Sequence, residues 1–311
     1  MLRRRRPRAR PAPESPAADA PAGGRGEPAH DRLVTPDGVE LWYRWAGPEP
    51  DATDQPVLVV PTCGNAADFD GLVTGSRPVL YYDVRNRGRS STVPDPRRLG
   101  FHHELDDLAM VCDRLSLDRV SLLGWSYHAG VVSQFALAQP DRVDRLVLAA
   151  AIPPRSALQP STMPEAAPHE LAHLDQLRAA GIPQSEPERW CAEWRRVYVP
   201  LRMGDPSAFG RLTSPCSMRN EHPDHMARAL VFVLADLGPY DWGHELRGLA
   251  APVLVIHGTA DADPIESADE WIRAVPDGRL LALEGVGQLP WAEAPEQFFS
   301  TVDRFLSGTP V

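Results

Sequence analysis

The 311-residue sequence predicts an α/β fold, a mostly parallel and doubly wound sheet with a helical segment inserted late in it. Three observations lead there. Short unbroken apolar runs recur at PVLVV (56–60), VSLLG (120–124), RLVLAAA (145–151) and PVLVIHG (252–258), the pattern of strands buried on both faces. Amphipathic stretches lie between them, which implies right-handed βαβ units and a parallel sheet with helices on both sides. After Ile152 the alternation stops for about 90 residues, too long for a structureless loop, and strands resume at 252.

Taken in chain order, residues 1–30 read as a disordered basic extension rich in Pro and Ala, with seven Arg in the first 26 positions against Glu14 and Asp19. This head has no apolar run of the kind a secretory signal needs. VELWYRWA (39–46) alternates and fits a half-exposed antiparallel strand. FHHELDDLAMVCDRLSL repeats apolar residues at Leu105, Leu108, Val111, Cys112 and Leu115, a helix that His102 and His103 would precede. YHAGVVSQFALAQP carries a second helix, ended by Pro140. The core is therefore expected in 31–152 and 246–311. Residues 153–245, with short helical patterns such as PHELAHLDQLRAAG and PERWCAEWRRVYVPLRM and no convincing strand, are expected to form a helical cap.

Composition narrows the function classes. With 43% apolar and 24% charged residues the chain matches a soluble globular protein, and no stretch reaches 18 apolar residues, so no membrane span is expected. The net charge is −10 despite the basic head, so the body is more acidic still, which argues against nucleic acid as the partner. Cys63, Cys112, Cys191 and Cys216 are widely spaced with no C-x-x-C pair. They read as reduced, mostly buried thiols of a cytoplasmic protein, neither bridged nor zinc-binding. Nothing resembles a phosphate loop, a dinucleotide fingerprint or a metal site, so no cofactor is expected.

Chemistry concentrates at a few positions. VSLLGWSYHAGVV puts Ser126 directly after a buried strand and before a helix, where a sharp turn would leave its hydroxyl proud of the sheet edge with the Tyr127 N–H facing the same spot. The pattern G-x-S-x-G is incomplete: His128 holds the fifth position, and glycine returns only at Gly130. As a plain helix cap, Ser126 would need no catalytic role. VLVIHGTADADPIESADEW sets Asp261 just past a late strand, where a carboxylate could orient an imidazole, with Asp263 as the alternative.

Together with YYDVRNRGRSS and the terminal LEGVGQLPWAEAPEQFFSTVDRFL, these motifs resemble the α/β-hydrolase family over about residues 31–308, nearest to its capped esterase and proline-iminopeptidase-like members. Carried over, the resemblance implies Ser126 as nucleophile and Asp261 as triad acid. It implies an oxyanion hole from the backbone N–H groups of Tyr127 and Cys63, the latter in VVPTCGNAADF, where Pro61 and Thr62 stand in place of the usual His-Gly. It places the catalytic histidine where this chain has Gln288. Glutamine cannot take a proton from a serine at neutral pH, and loss of the base in such a triad lowers turnover by around a million-fold.

Two function classes follow. One is a serine enzyme acting on an ester, amide or thioester, with triad chemistry impaired or served by another base, of which His128 is nearest in sequence. The other is a cofactor-independent isomerase, cyclase or lyase, or a ligand-binding pseudoenzyme, that has left the serine triad behind. In the cap segment Trp190, Trp194, Tyr198, Met203, Met218, Met226, Phe232, Tyr240 and Trp242 would mostly form the cap's own core. Their abundance over a cleft suggests a bulky, largely apolar small-molecule substrate.

Overall fold

Eight strands form one sheet in the computed structural model, which describes residues 30–158, 165–214, 216 and 223–311, apart from the side chains of 223–227. They are β1 (His30–Val34), β2 (Glu40–Ala46), β3 (Val57–Thr62), β4 (Val79–Asp83), β5 (Val120–Trp125), β6 (Val143–Ala149), β7 (Val253–Gly258) and β8 (Gly278–Leu283). Their order is β1-β2-β4-β3-β5-β6-β7-β8. The pairs β1·β2 and β2·β4 are antiparallel and every other pair is parallel. All residues of β3, β4 and β7 are buried, as unbroken apolar runs require of central parallel strands. The α/β class read from the sequence is the class observed.

Nine α-helices accompany the sheet among the described residues: α1 (Phe101–Arg114), α2 (His128–Ala138), α3 (Pro168–Ala179), α4 (Ile182–Ser185), α5 (Pro187–Tyr198), α6 (Pro223–Leu237), α7 (Ile265–Ala274), α8 (Pro290–Glu293) and α9 (Pro295–Leu306). Two apolar clusters sandwich the sheet. One gathers Leu108, Val111, Val132, Phe135 and Trp271, and the other Phe69, Trp291, Phe298, Val302 and Phe305. Helices α3 to α6 occur between β6 and β7, and α3 to α5 bury a third cluster around Leu174, Leu177, Trp190 and Val197.

Several expectations are corrected. The edge strands β1 and β8 escaped the sequence because most of their residues are exposed or half-exposed, so neither shows an unbroken apolar run. Strand β1 begins at His30, within the stretch assigned to the extension; residues 1–29 lie outside the described residues. His102 and His103 lie in the first turn of α1 rather than ahead of it, with Gly100 as the flanking residue. The reduced state of all four cysteines is overturned. Cys191 and Cys216 are disulfide-bonded, their Cα atoms 5.7 Å apart, because the chain after α5 folds back onto that helix. Cys63 and Cys112 are free. The cytoplasmic assignment rested on reduced thiols, and this bridge removes that support. Among the described residues no helix is long and apolar enough to cross a membrane.

Candidate active site

Ser126 sits where β5 hands over to α2. Its φ is +56°, in the left-handed region that side chains avoid at a cost of about 1–3 kcal/mol. Three backbone bonds hold it there: its N–H donates to Ala149 O (3.0 Å), and its carbonyl accepts from Ala129 (3.1 Å) and Ile152 (3.4 Å). Gly124 makes the turn possible. A Cβ at that position would fall 2.5 Å from the His128 carbonyl and 2.7 Å from the Ala129 nitrogen, so only glycine lets α2 start against β5.

Ser126 opens onto a cavity of about 260 Å³, whose walls include Cys63, Trp125, Tyr127, His128, Trp194, Tyr198, Arg202, Leu230 and Leu289. A smaller void of about 120 Å³ adjoins it, sharing Cys63, Trp125, Trp194, Val199 and Leu289. Of the aromatic and methionine residues singled out between 153 and 245, Trp194 and Tyr198 face the larger cavity. Trp190 and Met203 are buried in the packing clusters, Phe232, Tyr240 and Trp242 pack on the main core, and Met218 and the Met226 side chain lie outside the described residues.

The two expected oxyanion donors differ in state. Among the described residues the Tyr127 N–H has no hydrogen-bond partner, whereas the Cys63 N–H donates to Asn65 Oδ1 at 2.9 Å. Thr62 ends β3 with its hydroxyl bonded to Asp83 (2.6 Å) and the Tyr82 carbonyl (3.0 Å), which anchors the turn leading to Cys63.

Gln288 is buried and paired twice with Arg202. Its N–H donates to the Arg202 carbonyl (2.8 Å), and its Oε1 accepts from Arg202 Nη1 (2.9 Å), while its own carbonyl accepts from Trp125 Nε1 (3.1 Å). Gly287 permits this, since a Cβ there would lie 2.3 Å from the Arg202 carbonyl. The Glu293 carboxylate adds a staple, accepting from the backbone N–H groups of Gly204 (2.7 Å), Asp205 (3.0 Å) and Gly287 (3.1 Å). Burial depresses the Arg202 guanidinium below its ordinary range, which the negative field of Asp261 partly offsets.

Asp261 lies just past β7. Its Oδ1 accepts from the Asp263 N–H (3.2 Å), and its Oδ2 is buried without a partner among the described residues. Burial pushes its carboxyl up to about 7. No ion pair joins it to Arg202, and no histidine bonds it, among the described residues. His257 is turned away, with Nε2 2.8 Å from the Asp263 carbonyl in a fully buried, structural position. Of the other histidines, His102 bonds Asp236 and His173 bonds Glu193, both away from the cavity; His222 and the His225 side chain lie outside the described residues.

His128 reaches the cavity wall and is also buried. Its Nε2 stands 3.4 Å from Glu104 Oε2, and its ring centroid lies 4.2 Å from that of Tyr127. Tyr127 donates its hydroxyl to Glu104 Oε1 (3.3 Å), and Arg87 donates to that hydroxyl (3.3 Å). Burial alone would raise Glu104, but His128 and the Arg87 charge bring it below the usual carboxylate range. The Cys63 thiol is pushed up to about 12 by burial, which keeps it protonated.

Ser126, Tyr127, His128 and Cys63 thus share one cavity, and Gln288 is linked to it through Arg202. Sequence reading missed Arg202, Glu104 and Glu293. Glu104 carried a usable signal, a carboxylate in the apolar stripe formed by Phe101, Leu108 and Val111. Arg202 carried none.

The family model described as alpha/beta hydrolase fold matches residues 63–293. The chain belongs to the α/β-hydrolase family. This α/β-hydrolase is 28% identical over 190 residues to a pimeloyl-[acyl-carrier protein] methyl ester esterase of Aeromonas hydrophila, covering 61% of the chain and 71% of the relative. It is also 28% identical over 250 residues to a non-heme chloroperoxidase of Streptomyces lividans, covering 74% and 81%. Among solved structures, the proline iminopeptidase of Mycobacterium smegmatis superposes with a TM-score of 0.61 at 22% identity, over 90% of this chain and 98% of the other, a likeness of fold alone.

Proposed function

We propose that the protein is a hydrolase in which Ser126 attacks the carbonyl of an ester, amide or thioester of a bulky, largely apolar small molecule. The observation that carries this reading is the positive φ of Ser126 at the mouth of the cavity, a backbone strain with no structural use at an ordinary helix cap. The Tyr127 N–H supplies one oxyanion donor, and the Cys63 N–H becomes the second once the Asn65 side chain turns away. Helices α3 to α6 serve as the cap over the cleft. Gln288 takes the place of the triad base, so transfer of the serine proton is impaired or rerouted through His128, backed by Glu104.

A second reading is favoured by Asp261. A carboxyl that burial pushes up to about 7, within electrostatic reach of the cavity-lining Arg202, suits proton transfer without a covalent intermediate, as an isomerase, cyclase or lyase would use, or the pocket acts as a binder alone.

Fluorophosphonate labelling separates the readings. Covalent labelling of Ser126 in the native protein, abolished in Ser126→Ala, supports the hydrolase reading with another base. No labelling in the native protein, restored by Gln288→His, supports an intact elbow whose triad chemistry is lost and shifts the function to the second reading.

A further inference from the structure

We infer that Arg202 is an anion clamp, and that the cavity takes a monocarboxylate whose apolar body lies against Trp125, Trp194 and Tyr198 while its carboxylate meets the guanidinium. This deepens the preceding reading and rests on its premise that the cavity at Ser126 is the substrate site.

A guanidinium offers five N–H donors. Arg202 spends one on Gln288 Oε1 and, among the described residues, makes no other side-chain hydrogen bond and no ion pair within 4 Å. Its place in the cavity wall gives the remaining donors a ligand-sized space to face. The other cations nearby are committed: Arg87 to Tyr127 and Glu104, and Arg195, at the adjoining void, to the Ser214 carbonyl at 2.6 Å. The pairing with Gln288 is informative in itself. A neutral amide fixes the guanidinium in orientation without cancelling its charge, so the charge stays available to a ligand, whereas a glutamate there would neutralise it. The backbone bond from the Gln288 N–H to the Arg202 carbonyl, and the Glu293 staple on Gly204 and Gly287, hold the pair in place.

The chemistry selects a carboxylate over a phosphate. One planar fork matches one carboxylate in bidentate geometry. A dianion would leave a charge uncompensated, with the Asp261 carboxyl close by and indole walls around it. The adjoining void extends the apolar space past Trp125 and Trp194, so the body can be of phenylalkyl size.

Equilibrium titration of the full-length protein with 4-phenylbutyrate and its neutral isostere 4-phenylbutyramide tests this. The native protein is expected to bind the carboxylate about tenfold more tightly or better, the scale of a charge-assisted pair. Arg202→Gln is expected to reduce that ratio to about one, with Arg202→Lys in between. Equal affinity for the two ligands in the native protein, binding of neither, or a ratio that Arg202→Gln leaves unchanged would each overturn the inference. Should Arg202→Gln fail to fold, Gln288→Leu removes the orienting carbonyl and is expected to cut the ratio at least about threefold; an unchanged ratio again overturns it. Because binding is read without turnover, the two readings fail separately. Carboxylate preference without Ser126 labelling sinks the serine mechanism alone, and labelling without the preference sinks the clamp alone.

Discussion

Replacing Asp261 by Asn should change how stability depends on pH, and the structure sets the size of the change. Burial holds the folded carboxyl at about 7 against an ordinary value of 3.8. Between those two values the unfolded chain has released its proton and the folded chain has kept it, so stability falls as pH rises through the window and levels off above 7. A carboxyl held that far above its ordinary value corresponds to about 4 kcal/mol in full, of which somewhat more than half lies between pH 5 and pH 8. The substituted asparagine would keep the acceptor for the Asp263 N–H and carry no charge, so that contribution should vanish. Chemical denaturation of both proteins at pH 5 and pH 8 measures it: relative to native, Asp261→Asn should gain about 2–3 kcal/mol more at the higher pH. Parallel pH profiles, within about 0.5 kcal/mol, would refute the burial of an unpaired carboxyl at this position.

Three further perturbations follow from the packing. Arg85 and Asp107 are both buried and joined by two hydrogen bonds of 2.7 and 2.6 Å, so Asp107→Ala, which leaves the guanidinium only the Asp37 carboxylate and the Arg98 carbonyl as partners, should cost about 2–3 kcal/mol in denaturant unfolding. Replacing Cys191 and Cys216 by Ser opens a loop of 25 residues and should lower stability by about 3 kcal/mol, visible as a drop in thermal midpoint that dithiothreitol reproduces in the native protein. Gly124→Ala should push the first turn of α2 off β5, costing about 1–3 kcal/mol and reducing any fluorophosphonate labelling of Ser126, whereas an unperturbed Tm would mean that the turn has more room than the backbone distances of 2.5 and 2.7 Å allow.

The central strands were legible because burial on both faces leaves the same mark wherever it occurs, an unbroken run such as VLVIHG, and the elbow was legible because strand, Gly124, Ser126 and helix follow one another within a short stretch of chain. The edge strands were not, since a half-exposed strand has no such run. The position of Asp261 followed from its spacing behind β7, but its environment did not: how far a carboxyl is desolvated depends on what other segments lie over it, and among the described residues none brings it an imidazole.

The sequence by itself determined the fold class, the order of its elements and the few residues from which chemistry could start, because periodicity and turn spacing are local properties of the chain. Tertiary structure alone decided what those residues meet. Gln288 is bonded to an arginine 86 positions earlier, Glu104 of α1 stands beside His128 of α2, and Cys191 finds Cys216. Each of these pairs forms because packing the helices on the sheet buries polar groups that must then find partners across the fold, and local sequence holds no record of which partner lies within reach.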